Sequence, residues 1–166
     1  MAIHLRAPGS ASNLGPGFDC LGLALSIYNR MVVNPVSGTG IQLTITGEGA
    51  GELPEDEQNL FYKSALAAAE LAGETLPGIR VEMDNRIPLV RGLGSSSTAI
   101  VAGIYVANRL FDGPFSTQEM LDLATKLEGH PDNVSPCLLG GLTISALKEG
   151  GVDYIRALPS PELRAV

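Results

Sequence analysis

Positive charge is what this 166-residue chain lacks in any concentrated form. It has 11 Lys and Arg against 18 Asp and Glu, a formal net charge of −7, and no basic cluster stands out. Nucleic-acid binding draws its affinity from such clusters, so the composition argues against a nucleic-acid partner. Any anion bound here must be met locally, by backbone amides with or without a metal. Cysteine is scarce too. Cys20 and Cys137 lie far apart in apolar or Gly-rich surroundings and read as buried reduced thiols, not as a disulfide or a nucleophile. Met1-Ala2-Ile3-His4-Leu5-Arg6 has no basic region leading into a long apolar core, and no apolar run approaches the ~18 residues of a membrane helix. The expectation is a cytoplasmic protein with no membrane partner. Repeats, low-complexity stretches and linkers are also missing. With 45% hydrophobic and 17% charged residues, the chain is long enough for one domain with a real core, spanning 1–166.

What is present alternates between apolar segments and three polar loops. Ile3 to Ala7 predicts a short strand stopping at Pro8-Gly9, and Ser10 to Asp19 reads as a structured loop with two glycines and a proline. Leu21 to Val33 predicts a strand, and Ile41, Leu43 and Ile45 alternate with polar residues as a half-buried strand does. Gly47 to Glu57 is an acidic loop. Asn59 is placed to cap a helix from Leu60 to about Ala72 that ends at Gly73. A strand over Ile79 to Asp84 follows, then a Gly/Ser loop, then an apolar helix from Ser96 to Leu110 that should be buried and central. Ser116 with Glu119 forms a capping-box pattern for a helix reaching about Glu128. Gly129 to Asn133 reads as the third polar loop, followed by a short turn or helix near Val134 to Leu138. Leu142 to Ala146 and Val152 to Leu158 predict a final hairpin. Helices do not alternate regularly with strands. The fold class is therefore α+β, a mostly antiparallel sheet with helices on one face.

The chemistry gathers in the loops. Pro88-Leu89-Val90-Arg91-Gly92-Leu93-Gly94-Ser95-Ser96-Ser97-Thr98 empties into a helix start. Glycines there let backbone lie flat against a ligand, and unpaired N–H groups with the helix dipole favour a phosphate. An ordinary turn with a serine N-cap is the bland alternative. The loop lacks the Gly-Lys-Ser/Thr ending of a Walker loop, so no built-in lysine offsets phosphate charge. Arg91 is the cation at hand. The first loop adds Ser12, Asn13 and Asp19, and the third adds Glu128, His130, Asp132 and Asn133. Glu128 sits at a helix C-terminus, where the dipole disfavours an acid and a cation would compensate it. Amides for phosphate, a hydroxyl and carboxylate for Mg²⁺, and polar groups for an acceptor alcohol are the parts of a small-molecule kinase.

Pro88 to Ser97 resembles the nucleotide-binding motif of the galactokinase, homoserine kinase, mevalonate kinase and phosphomevalonate kinase superfamily. Ala7-Pro8-Gly9-Ser10-Ala11-Ser12-Asn13-Leu14-Gly15-Pro16-Gly17-Phe18-Asp19 is similar to the opening motif of homoserine kinases. Glu128-Gly129-His130-Pro131-Asp132-Asn133-Val134, with Gly140-Gly141-Leu142, matches those kinases as well. The resemblance covers Ile3 to Ser145 and implies a ribosomal protein S5 domain 2-like fold. It also implies transfer of the γ-phosphoryl of ATP to the hydroxyl of L-homoserine, a step of threonine biosynthesis. By position, Ser96 and Glu128 would hold Mg²⁺. Pro88, Arg91, Gly92, Leu93, Gly94, Ser95, Ser96 and Ser97 would wrap the nucleotide, with Asn59 beside the nucleoside. Asn13, Asp19, His130 and Asp132 would bind homoserine, and Asn133 would lie near the transferred phosphoryl. Asp132 is the nearest candidate for a general base, although an acid engaged with an ammonium group makes a poor one.

Homoserine kinases of this kind are roughly twice as long. They continue into a second α+β domain with substrate-binding arginines, for which Arg156 and Arg164 are no evident substitute. The expectation is an N-terminal kinase domain without its second domain, its central helix partly uncovered, and self-association, as a dimer or otherwise, through the exposed face. Two other readings stay open: a nucleotide-binding fragment without turnover, and a related kinase of another small alcohol.

Overall fold

The structure is a computed structural model, and it describes residues 2–160 and 162–163; Arg164 lies outside them. Ten elements follow in the order β1 (Ile3–Leu14), β2 (Gly17–Val36), β3 (Ile41–Gly47), α1 (Leu60–Ala72), β4 (Gly78–Asn85), α2 (Ser95–Leu110), α3 (Thr117–Glu128), α4 (Pro131–Leu139), β5 (Leu142–Lys148) and β6 (Gly151–Ala157). The 20-residue strand β2 is the spine of the sheet. Along one edge it pairs with β1. On its other edge β4 pairs with residues 30–36 and β5 with residues 21–23, all antiparallel. β3 joins β4 in parallel, the one parallel pair in an otherwise antiparallel sheet. That exception has a cause: α1 connects the two strands as a crossover, which returns the chain in the same direction.

Two expected loops are not loops. β1 does not stop at Pro8-Gly9 but runs through to Leu14, with a register shift between Pro8 and Ser10. Because β1 pairs only with β2, Pro8 sits on an edge strand at an irregularity, where a missing N–H is tolerated. The stretch Ser10 to Asp19 is thus the tip of a hairpin, closed where Leu14 pairs with Gly17. The expected loop Gly129 to Asn133 is mostly the first turn of α4. Pro131 opens that helix at a position where its lost N–H is not needed. The caps read from the sequence are as expected. Asn59 accepts from the Phe61 N–H at 3.0 Å, Gly73 ends α1 in the left-handed region, and Ser116 and Glu119 form a reciprocal capping box.

The four helices cover one face of the sheet. With few aromatics in the chain, the core is built from Met31, Val33, Ile79, Val81, Phe61, Ile100, Ile104 and Leu121, all at 1% exposure or less, and alanines let α1 and α2 approach closely. α2 is buried and central as expected. The further expectation, that α2 would be left partly uncovered, is corrected: α1, α3 and α4 already cover it, and ten of its residues are buried within this chain. Among the exposed apolar side chains, Ile144 and Ile155 are cross-strand neighbours on the far face of the β5–β6 hairpin. Cys137 is buried and burial, with Glu128 nearby, pushes its thiol up to about 12, which leaves it inert. Cys20 is free and only half-buried. Among the described residues no helix is long and apolar enough to cross a membrane.

Candidate active site

The Gly/Ser loop and α2 meet at Gly94, and the serine N-cap of the bland alternative is absent. The N-cap is Gly94 itself, in the left-handed region and without a side-chain cap. The first N–H groups of α2 therefore keep their hydrogens for a ligand, and the dipole adds positive potential there. Beside this helix end opens a cavity of about 510 Å³. Of the residues expected to hold nucleotide, Pro88, Arg91, Gly92, Leu93, Gly94, Ser95, Ser96 and Asn59 all line it. Ser97 lies beneath, fully buried. The far end of the cavity is apolar, walled by Met31, Leu53, Pro54, Met83 and Leu89. Asn59 lines this end with its amide engaged by the α1 cap and by the Pro54 carbonyl, to which it donates at 2.7 Å. Asn85 lines it too, and its Oδ1 is buried without a hydrogen-bond partner.

Glu128 ends α3, directly across from the start of α2. Ser96 Oγ donates to its Oε1 at 3.0 Å and Ser97 Oγ at 2.9 Å. A hydroxyl and a carboxylate are thereby held side by side at the uncapped helix end. Among the described residues no group of three or more His, Cys, Asp and Glu forms a cation cage. Mg²⁺ does not require one: it is commonly held by one or two carboxylates, with phosphate oxygens and waters completing its shell. The pair Ser96–Glu128 fits that chemistry.

α4 delivers the remaining residues. Asp132 and Asn133 occupy its first turn, where an acid suits the dipole. A Cβ on Gly22 would lie 1.9 Å from the Asp132 carbonyl oxygen, so glycine in β2 is what lets α4 lie so close to the sheet. Asp132 is completely buried, and its Oδ1 lies 2.5 Å from His130 Nδ1. Its Oδ2 is buried with no hydrogen-bond partner. In this arrangement Asp132 holds the exposed His130 ring, and the imidazole is the part that reaches solvent. Asn13 and Asp19 are exposed at the β1–β2 tip, both at positive φ (57° and 54°), and Asn13 Oδ1 accepts the Asp19 N–H at 2.9 Å.

Hydrogen bonds knit the three polar segments together. Asn133 is bonded to Ser10 and Ser12 of β1, while Ser10 N donates to the Leu93 carbonyl at 3.0 Å. Sequence reasoning missed two residues of this framework. Ser10 looked like one more loop residue. Asn29, in the middle of β2, is buried, accepts from the N–H groups of Arg86 and Ile87 at 2.9 and 3.1 Å, and donates to Thr98 Oγ1 at 2.9 Å. A polar residue inside an apolar strand was the available signal for Asn29.

Known proteins are similar to this chain in sequence and in fold. The family model described as GHMP kinases N terminal domain matches residues 59–141. A homoserine kinase of Streptomyces coelicolor is 46% identical over 165 residues, which cover 98% of this chain and 53% of that protein. A crystal structure of homoserine kinase from Cytophaga hutchinsonii superimposes with a TM-score of 0.82 at 33% identity, covering 93% of this chain and 51% of that one. The mevalonate kinase of Methanococcus jannaschii, at 15% identity and a TM-score of 0.67 over 95% of this chain and 56% of its own, shares the fold. The chain spans about half the length of the curated relatives it matches. With half of its length under the family description, this chain belongs to the GHMP kinases.

Proposed function

We propose that the chain is the nucleotide-binding part of an ATP-dependent kinase that phosphorylates the hydroxyl of L-homoserine. The observation that carries the reading is the start of α2: bare of any side-chain cap, open to a cavity, and set against a hydroxyl–carboxylate pair. The names of the relatives support homoserine as the acceptor. The triphosphate would lie along Gly92 to Ser97, its oxygens taking the free N–H groups of α2, with the base in the apolar end of the cavity. Ser96 and Glu128 would hold Mg²⁺, which when bound offsets charge on the phosphate oxygens. Asn133 would face the transferred phosphoryl. Asn13, Asp19 and His130 would meet the amino acid, and Asp19 suits its ammonium group. Asp132 would act through His130, whose ring it orients. Positioning supplies most of the rate in such a mechanism, because phosphoryl transfer passes through a loose transition state that asks little of a base.

A second reading is a nucleotide-binding unit without turnover. Arg156 is tied to the segment just before β5, its Nε donating to the Gly140 carbonyl at 2.9 Å. Calorimetry with ATP·Mg²⁺ beside ADP release on a panel of alcohols including L-homoserine separates the two. Release with homoserine supports the kinase, and binding alone supports the unit. Glu128→Gln should weaken the Mg²⁺-dependent part of nucleotide affinity by roughly ten-fold or more, the loss expected for one charged contact. Metal-free nucleotide should bind nearly as before, and equal losses in both would remove the metal role.

A further inference from the structure

We propose that Ser10 and Ser12 are positioning residues that hold the Asn133 carboxamide against the phosphate loop, so that the protein distinguishes a nucleotide with a terminal phosphoryl from one without it. The inference rests on the nucleotide reading of the cavity above. Ser10 Oγ donates to Asn133 Oδ1 at 2.8 Å, and Asn133 Nδ2 donates to Ser12 Oγ at 2.9 Å. The amide is gripped at both ends, which removes the broad two-fold freedom that an asparagine χ2 otherwise has. One Nδ2 hydrogen remains to be offered. The amide itself stands against the loop: Asn133 lines the cavity, and a Cβ built on Gly94 would lie 3.1 Å from its Oδ1.

The two serines are themselves anchored. Ser10 is fully buried, and its backbone N–H holds the Leu93 carbonyl. The same Cβ on Gly94 would lie 2.3 Å from Ser10 Oγ, so loop, strand and amide converge within a few ångströms. Ser12 Oγ also accepts from Asn13 Nδ2 at 3.1 Å, and Asn13 is fixed in turn by the Asp19 N–H. A continuous polar chain thus runs from the hairpin tip to the amide. An amide set in place before binding loses no rotamer freedom when the phosphoryl arrives, and that preorganisation is what the serines contribute.

The test is a ratio of affinities and needs no turnover. Calorimetry would compare the β,γ-imido analogue of ATP with ADP, both with Mg²⁺, on the whole chain as wild type, Ser10→Ala, Asn133→Ala and the double variant. Ser10→Ala should weaken the triphosphate analogue by roughly five-fold, the worth of one well-placed hydrogen bond, and change ADP less than two-fold. In the Asn133→Ala background the same substitution should move the ratio no further. A merely structural role would weaken both nucleotides alike, or would persist unchanged without Asn133, and either result overturns the proposal. If Ser10→Ala does not fold, Ser12→Ala, at a half-buried site, carries the same comparison. Failure of wild type to bind either nucleotide would overturn the cavity reading and this inference with it. Binding of both nucleotides with no preference for the triphosphate would overturn the inference alone.

Discussion

Replacing Asn29 with alanine tests whether one buried amide holds the Gly/Ser loop before α2 to the sheet. Asn29 is 2% exposed and makes three hydrogen bonds, two accepted from the Arg86 and Ile87 N–H groups and one donated to Thr98 Oγ1. Thr98 in turn donates to the Ser95 carbonyl at 2.7 Å, so the amide ties β2 both to the segment entering the loop and to the first turn of α2. Asn29→Ala removes all three bonds, each with a net worth of about 1 kcal/mol. Arg86 is exposed, so water can replace its lost partner, but Ile87 is fully buried and its N–H would be left unsatisfied at a further ~1–3 kcal/mol. The Thr98 hydroxyl keeps its bond to Ser95. Allowing for the replaced bond, the expected loss is about 3–5 kcal/mol. For a chain of this size that is a fall in Tm of roughly 6–20 °C. Urea denaturation at constant m-value gives the free energy, and calorimetry well below the new Tm gives nucleotide affinity, which should fall as well because the loop loses its anchor. A loss below about 1 kcal/mol with unchanged affinity would refute the reasoning.

The Glu119 carboxyl is held below its usual range, first by the Ser116 backbone N–H and then by the Ser116 hydroxyl. A depressed folded-state value means the capping box adds stability above the ordinary glutamate range and loses it as pH falls through the depressed value. Glu119→Gln should therefore flatten that part of the stability–pH curve, and thermal melts from pH 3 to 7 that stay parallel for the two proteins would refute it. Self-association should use the far face of the β5–β6 hairpin, where Ile144 and Ile155 are exposed cross-strand neighbours. Light scattering should report a dimer or larger species that Ile144→Lys with Ile155→Lys converts to monomer, whereas a monomeric wild type would remove the expectation.

Local chemistry was readable in the residues. Asn59, Gly73, Ser116 and Glu119 mark helix ends because a cap depends on atoms two or three residues away. Alternation over Ile41 to Ile45 and Ile79 to Asp84 marks strands because one face of each is buried. That the Gly92 to Ser97 loop runs into a helix start was legible for the same reason, being one segment with its own backbone geometry. Tertiary structure decided the rest. Pro8 looked like a stop and Pro131 like part of a loop, yet the first lies on an edge strand and the second opens a helix, and only the neighbours of each position settle which. Ser10 and Asn29 looked ordinary in sequence, because their partners are 123 residues away in one case and 57 to 69 in the other. Glu128 shows both halves of the problem. An acid at a helix C-terminus could be recognised in the sequence as calling for compensation, but the two hydroxyls that meet it come from α2, more than thirty residues earlier, and no periodicity within α3 could have supplied them.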